Sequence, residues 1–554
     1  METFDQIITW LENLVWNTPE ALPAMVVILL AFGIYITIRL GFIQFKGFKH
    51  GLKVVTGYYD DPEDEGDINH FQALTTALSA TVGIGNIAGV ALAIHIGGPG
   101  ALFWMWITAL FGMAIKYTEV TLAQKFRKTN PDGTVSGGPM YYIEEGLGDN
   151  WKWLAVAFAI SAAICAFLTG NAVQANTVAD VMQTDFQIPL WITGLITASI
   201  VGAVILGGIK RIGKVTSKLV PFMGILYVLG ALAILIINYD AIIPSLATII
   251  STAFNPVAGA LGVGSGAVIV TLSYGVQRGI FSNEAGQGSA PIAHSAARTD
   301  EPVREGVVAL LEPFIDTLII CTMTGLVIVS TGAWDMQHPS GFSPSASQVS
   351  YEVTAQAANQ PQDTEGEILY FSNGVAENGT MLHNSAPVDT MFVDANYSKP
   401  FTGRIEVSKE NGDIAYQQNG DQVSTLYGGV VRTGAPLTTA AFEKGLSPII
   451  PGGGYLVTFA VLLFAISTSI SWSYYGDRAA QYLFGFESIM IYRTAFVGMH
   501  FFGAVASLAT IWAFGDVMLG LMAFFNIIAL FALSGVVYKT TKQYFSTEHE
   551  TPES

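Results

Sequence analysis

Apolar residues run in long stretches with few charges between them, most clearly over 25–40 and 219–237. A hydrocarbon core of roughly 30 Å asks for about 20 such residues per helix. On that measure the pattern predicts eleven membrane helices, near 22–42, 71–94, 99–122, 153–178, 190–208, 216–237, 262–280, 305–331, 452–473, 490–512 and 516–538. Two of them, 71–94 and 262–280, are weak because they are rich in Gly, Ser and Thr. Residues 332–450 lack long apolar runs. There, short segments such as 368–371, 391–393 and 405–407 alternate with Gly, Asn and Asp, which predicts a small β-rich insertion or a partly disordered loop.

Basic residues orient these helices. Lys46, Lys49 and Lys53 follow the first span, and Lys125, Arg127 and Lys128 the third. Lys210, Arg211, Lys214 and Lys218 lie between the fifth and sixth, Arg478 follows the ninth, and Lys539 and Lys542 end the chain. With eleven spans all fall on one side, which the positive-inside rule makes cytoplasmic. The N-terminus is then expected outside, the C-terminus inside and the insertion outside, in the cell inner (plasma) membrane. No Lys or Arg precedes Arg39, so the first run reads as a retained helix rather than a cleaved signal. The expected units are 1–70 (tail, extra helix and cytoplasmic loop), 71–237 (five helices), 238–261 (outer connection), 262–331 (two helices), 332–450 (insertion), 451–538 (three helices) and 539–554 (cytoplasmic tail).

Composition narrows the class. Half the chain is hydrophobic (51%) and only 12% is charged, about half the share of a soluble protein. The net charge of −18 does not point to nucleic acid, because no basic patch exists and much of the acid sits in the insertion and tails. Cys165 and Cys321 both lie in apolar runs and read as small buried residues, not a disulfide. The membrane region carries no metal-ligand cluster, nucleophile elbow or phosphate loop, so no enzyme chemistry and no cofactor are expected.

With the first helix set aside, spans two to six and seven to eleven form two sets of five. Five is odd, so the sets have opposite orientation, as in an inverted repeat. Each set opens with one of the glycine-rich spans: 79–89 reads SATVGIGNIAG and 273–286 reads SYGVQRGIFSNEAG. Glycine weakens helices. Two such stretches in matching positions predict discontinuous helices around a central site, where half-helix N-termini face a carboxylate and freed carbonyls face a cation. Glycine seams for close helix packing are the alternative.

Other residues fit such a site. Phe167, Gly170, Asn171 and Gln174 are spaced i, i+3, i+4, i+7 and share one face of a regular helix, lining a cavity or bonding a neighbouring helix. Phe464, Ser467, Thr468 and Ser471 offer oxygens suited to a hard cation, or hydroxyls that bond back to their own helix. Glu119, Glu284, Glu312 and Asp316 are acids near membrane depth; Glu119 stands one turn from Lys116 and reads as an intrahelical pair. Glu312 and Asp316 are either structural or proton-relaying.

The stretches HFQALTTALSATVGIGNIAGV from His70, GGPGALFWMW from Gly97, SGGPMYYIEEGLG from Ser136, RGIFSNEAG from Arg278, GSAPIAH from Gly288 and SWSYYGD from Ser471 resemble the alanine or glycine:cation symporter family, everywhere except 332–450. The resemblance implies an all-α, LeuT-like fold of five plus five helices with an extra N-terminal helix. It also implies sodium-coupled, in some members proton-coupled, uptake of a small neutral amino acid. It places substrate at Ile84, Gly85, Asn86, Phe167, Gly170, Asn171, Gln174, Tyr274, Gly275 and Thr468. By analogy with neurotransmitter:sodium symporters it places sodium at Ser79, Val82, Phe464, Ser467 and Thr468. Ile84 stands where some relatives carry threonine, and the large insertion is not a usual feature of the family. A channel would need a continuous polar pore, and a sensor would bind its ligand in the insertion; neither is the expected reading.

Overall fold

The computed structural model describes residues 2–16, 18–19, 23–255, 267–346, 348–353, 367–384, 386–407, 413–506 and 509–547. Parts of every expected unit except 71–237 therefore lie outside the described residues. The chain is a mainly helical polytopic membrane protein with a β-rich insertion. Among the described residues, seven helices are long and apolar enough to cross a membrane, or eight when a bent pair counts as one span.

The helices that build the site are named here in chain order. An amphipathic helix α1 (Glu2–Trp16) precedes α2 (Ala24–Arg39). Helix α3 (His70–Thr81) stops, a π turn (Gly85–Gly89) follows, and α4 (Val90–Gly97) continues at a bend of 52°. Then come α5 (Ala101–Lys125), α6 (Lys152–Phe167), a second π turn (Leu168–Ala172) and α7 (Val173–Phe186). Helices α8 (Leu190–Ile205) and α9 (Gly208–Ile237) lead to α10 (Tyr239–Thr252). Helix α11 (Ala267–Asn283) is followed by the short α12 (Ala290–His294) and by α13 (Pro302–Ala309). A π stretch (Phe314–Cys321) then runs into α14 (Thr322–Ser330). After the insertion stand α15 (Gly434–Leu446), α16 (Tyr455–Phe484), α17 (Ser488–Val505) and α18 (Ala509–Phe545).

Side-chain pattern explains the packing. On α9, Phe222, Ile225, Leu229 and Ile236 are exposed along one face while Met223, Tyr227, Ala231 and Ile234 are buried. Such an apolar outer face suits lipid. Helix α16 is buried without interruption from Phe464 to Gln481, which makes it a central post of the bundle. The cysteines are free and buried.

Four expectations change. The N-terminal tail holds α1, whose Trp16 is buried and donates to the Asp516 carbonyl at 3.0 Å. A 15-residue amphipathic helix has no 20-residue apolar run to betray it. The outer connection holds α10 for the same reason. The glycine-rich stretch 273–286 does not unwind at Tyr274 and Gly275. Helix α11 stays regular to Asn283, and the irregular backbone comes after it, with positive φ at Glu284 (56°), Gly286 (89°) and Gly288 (78°). Lys116 pairs not with Glu119 but across helices with Glu312 at 3.1 Å. Glu119 instead accepts from the Gly288 amide (2.9 Å) and from Asn526.

The insertion is a set of antiparallel sheets. In the largest, Gly403–Val407 pairs on one side with Glu367–Ser372 and on the other with Ile414–Gln417. In a second, Leu426–Val431 pairs with Gln337–Phe342 and Met391–Phe392. The last part of 332–450 is not β but α15, which packs back onto the membrane helices.

Helix α3 starts with a reciprocal cap. Asn69 Oδ1 accepts from the Gln72 amide (2.9 Å) and Gln72 Oε1 from the Asn69 amide (3.3 Å). Asn69→Ala should therefore cost about 1 kcal/mol. A lower unfolding temperature in detergent checks this; Asn69→Asp should restore most of the loss.

Candidate functional site

The break in α3–α4 is the starting point. Helix α3 ends at Val82 because ψ swings to 87° there. Its freed groups find partners in other elements. Asn86 Oδ1 accepts the Gly83 N–H at 2.8 Å, and Asn86 Nδ2 reaches Ser282 Oγ (3.1 Å) and the Asp316 carboxylate. The Thr438 hydroxyl of α15 donates to the Ile87 carbonyl at 2.9 Å. On the remaining side stands α16. There the Ser79 hydroxyl donates to the Ser467 carbonyl (2.7 Å), and the Ser467 hydroxyl reaches the Phe464 (3.0 Å) and Ser79 (3.3 Å) carbonyls. The Thr468 hydroxyl reaches the Ala80 carbonyl at 3.3 Å. Ser79, Phe464, Ser467 and Thr468 thus converge at one crossing of α3 with α16, with buried Val82 at the end of α3 beside them.

The break opens on a cavity of about 320 Å³. Of the residues singled out by sequence, Ile84, Gly85, Gln174 and Thr468 line it. Gln174 donates to the Thr169 carbonyl at 3.1 Å, and its Oε1 has no hydrogen-bond partner in the protein. Asn86 does not line the cavity; its amide is engaged with Gly83, Ser282 and Asp316.

Phe167, Gly170 and Asn171 also lie off the lining. The shared-face argument assumed 3.6 residues per turn, and the π turn Leu168–Ala172 breaks that period, separating these residues from Gln174. Phe167 packs on Tyr492 (ring centroids 4.5 Å apart), and a Cβ on Gly170 would sit 2.5 Å from Trp472 Cβ. Asn171 donates to the Phe496 carbonyl (2.8 Å) and meets His500 Nδ1 (2.7 Å). Gly275 faces α5, where a Cβ would lie 2.6 Å from Trp104 Cβ, and Tyr274 is outside the lining.

Several lining residues were not anticipated. Arg278 and Asp516 are charged groups within apolar spans, a signal the sequence did carry. Arg278 stacks over Phe281, 5.1 Å from the ring centroid. Glu284, an acid the sequence did place at membrane depth, accepts from Trp472 Nε1 at 3.2 Å and from the Ser289 hydroxyl. Thr433 and Gly434, at the start of α15, close part of the wall from the insertion. No periodicity could have linked them to a site some 350 residues earlier in the chain. Among the described residues no group of three or more His, Cys, Asp or Glu is arranged to hold a metal.

The sodium:alanine symporter family model matches residues 1–360 and 422–554, leaving out only 361–421 within the insertion. The sodium/alanine symporter AgcS of Methanococcus maripaludis is 40% identical over 98% of this chain and 97% of its own length. The probable sodium/glutamine symporter GlnT of Bacillus subtilis is 30% identical over 98% and 91%. The crystal structure of MhsT in complex with L-phenylalanine aligns over 86% of this chain and 99% of that one, with a TM-score of 0.48 at 12% identity. Its helices, its broken span and the family-model and AgcS matches over most of its length make the chain a multi-pass membrane transporter that belongs to the sodium:alanine symporter family.

Proposed function

We propose that the protein is a secondary active transporter that carries a small neutral amino acid, such as alanine or glycine, together with sodium by alternating access. The observation that carries this reading is the broken span. Its unwound turn faces, across one cavity, both an unpartnered amide oxygen (Gln174) and a set of hydroxyl and carbonyl oxygens (Thr468 and its neighbours). A zwitterion and a hard cation need those two kinds of surface side by side.

In this reading the substrate carboxylate meets Ile84 and Gly85, where the π turn and α4 begin and the helix dipole is positive. The ammonium is held by Gln174 Oε1 and Thr468. Sodium sits where α3 crosses α16, held by the carbonyls of Ser79, Val82 and Phe464 with the hydroxyls of Ser467 and Thr468. Those hydroxyls now bond carbonyls at 3.0–3.3 Å, and rotation turns their lone pairs to the ion. Asn86 holds the break open rather than touching substrate. Gly170, Phe167 and Asn171 back the wall by fixing Trp472 and α17. Tyr274 and Gly275 seat α11 against α5.

The cavity is larger than a small amino acid needs, since each water takes a share of roughly 30 Å³. Selection for a small side chain then belongs to the closed state, in which Trp472 and Phe281 advance on the substrate. One sodium ion moving inward yields about 2.3 kcal/mol per 100 mV, enough for a roughly 50-fold substrate gradient. The orientation that fits is the one with the basic loops and the C-terminus in the cytoplasm of a plasma membrane.

Proteoliposomes containing the full chain should accumulate alanine or glycine only under an inward sodium gradient. Uptake that survives collapse of both the sodium and proton gradients would remove the symport reading. Two glycines at the break give a sharper check. A Cβ at Gly83 would lie 2.6 Å from Thr468 Oγ1, whereas one at Gly89 would meet nothing within 4 Å. Gly83→Ala should weaken sodium-dependent alanine binding about fivefold or more, by an overpacking cost of ~1–3 kcal/mol. Gly89→Ala should bind within about twofold of the parent, as expected where a methyl group meets no neighbour.

A further inference from the structure

A chain of buried titratable groups leaves the cavity wall at Glu284, and the transport reading makes no use of it. It begins at Glu284, which lines the cavity and holds Trp472 Nε1. Lys116 of α5 feels both Glu284 and Glu119 and forms the 3.1 Å ion pair with Glu312. Glu312 is bonded by His294 Nε2, His294 Nδ1 bonds Glu305, and the other oxygen of Glu305 bonds His70 Nδ1. His70 Nε2 lies 3.9 Å from Asp60, whose side chain is 41% exposed. Lys116, Glu312, His294, Glu305 and His70 are all 0–1% exposed.

We propose that this chain, Glu284–Lys116–Glu312–His294–Glu305–His70–Asp60, is a proton path between the central cavity and the surface that carries Asp60, so that transport moves a proton as well as substrate. The inference rests on the reading of the protein as a transporter of an amino acid.

Charge counting supports a mobile proton. Five buried carboxyl groups meet here: Glu119, Glu284, Glu305, Glu312 and Asp316. The cations facing them are Lys116, His70 and His294, with Arg127 beyond, which bonds the carbonyls of Ser295 (3.2 Å), Ala297 (2.7 Å) and Thr299 (2.8 Å). Even with both histidines charged and Arg127 included, four cations face five acids. Burying an uncompensated charge is costly, so at least one carboxyl keeps a proton. Asp316 is tied to Asn86, Ser282 and Thr317, and Glu119 to Gly288 and Asn526. The remaining acids are the three along the chain.

The geometry lets that proton travel. No ion pair joins Glu284 to Lys116, so a water in that gap passes the Glu284 proton to Lys116 as the Lys116 ammonium gives one to Glu312. Glu312 then protonates His294 Nε2 while the Nδ1 proton passes to Glu305; the ring changes tautomer, and a turn of the ring resets it. From Glu305 the proton passes to His70, and a water bridges the 3.9 Å from His70 Nε2 to Asp60. Trp472 connects this traffic to occupancy, because its ring lies in the cavity wall and its N–H bonds Glu284.

The test uses proteoliposomes of the full chain with a trapped pH-sensitive dye, read alongside sodium-dependent exchange of labelled for unlabelled alanine. Addition of alanine under a sodium gradient should shift the internal pH. His294→Gln and His70→Gln should each cut that shift at least about tenfold while exchange persists. Exchange without any pH change in the parent, or an undiminished shift in both variants, would overturn the path alone. Loss of sodium-dependent exchange in the parent would overturn the transport reading and this inference with it.

Discussion

Everything at the site depends on one constraint: a peptide backbone opened inside an apolar bundle must have its N–H and C=O groups satisfied. At 82–89 that work is shared among distant parts of the chain. Asn86 turns back to take the Gly83 amide and is itself held by Asp316, and Thr438 caps the Ile87 carbonyl from outside the bundle. Ser467 and Thr468 face the last carbonyls of α3. Because each partner comes from a different element, the break is pinned from three directions while its fourth side opens on the cavity.

Two further π turns follow the same logic. Leu168–Ala172 lets Gln174 bond a carbonyl five residues back and frees its oxygen for the cavity. Phe314–Cys321 places Asp316 against Asn86 and, one short helix earlier, Glu312 against His294 and Lys116. A regular helix could not direct both carboxylates into separate networks four residues apart, since i and i+4 share a face. The polar interior is therefore two systems: one that holds the break, and one that runs away from it toward Asp60.

The insertion also has a place in this scheme. Its sheets meet the helices where His95 of α4 bonds the Asn384 carbonyl, and its last part, ending in α15, returns to the break and supplies Thr433, Gly434 and Thr438. The family model covers 422–554, so this returning helix lies within the family match and only 361–421 lies outside it.

Much of the architecture was written in the order of residues. The spacing of apolar runs located the membrane helices, because lipid imposes a fixed length. The glycines at 83, 85 and 89 located the break, because helix propensity is a local property. The β pattern at 368–371 and 405–407 was equally local. What sequence could not decide was direction. The face carrying Phe167 and Asn171 turned away from the cavity because a π turn changed the period. Helix α11 stayed intact because its glycines serve close packing, Gly275 against α5. Lys116 chose Glu312 over Glu119, and Asn86 chose the backbone over the cavity. These are choices between partners far apart in sequence, and only the packed bundle, by bringing one partner within reach and burying the alternatives, could make them.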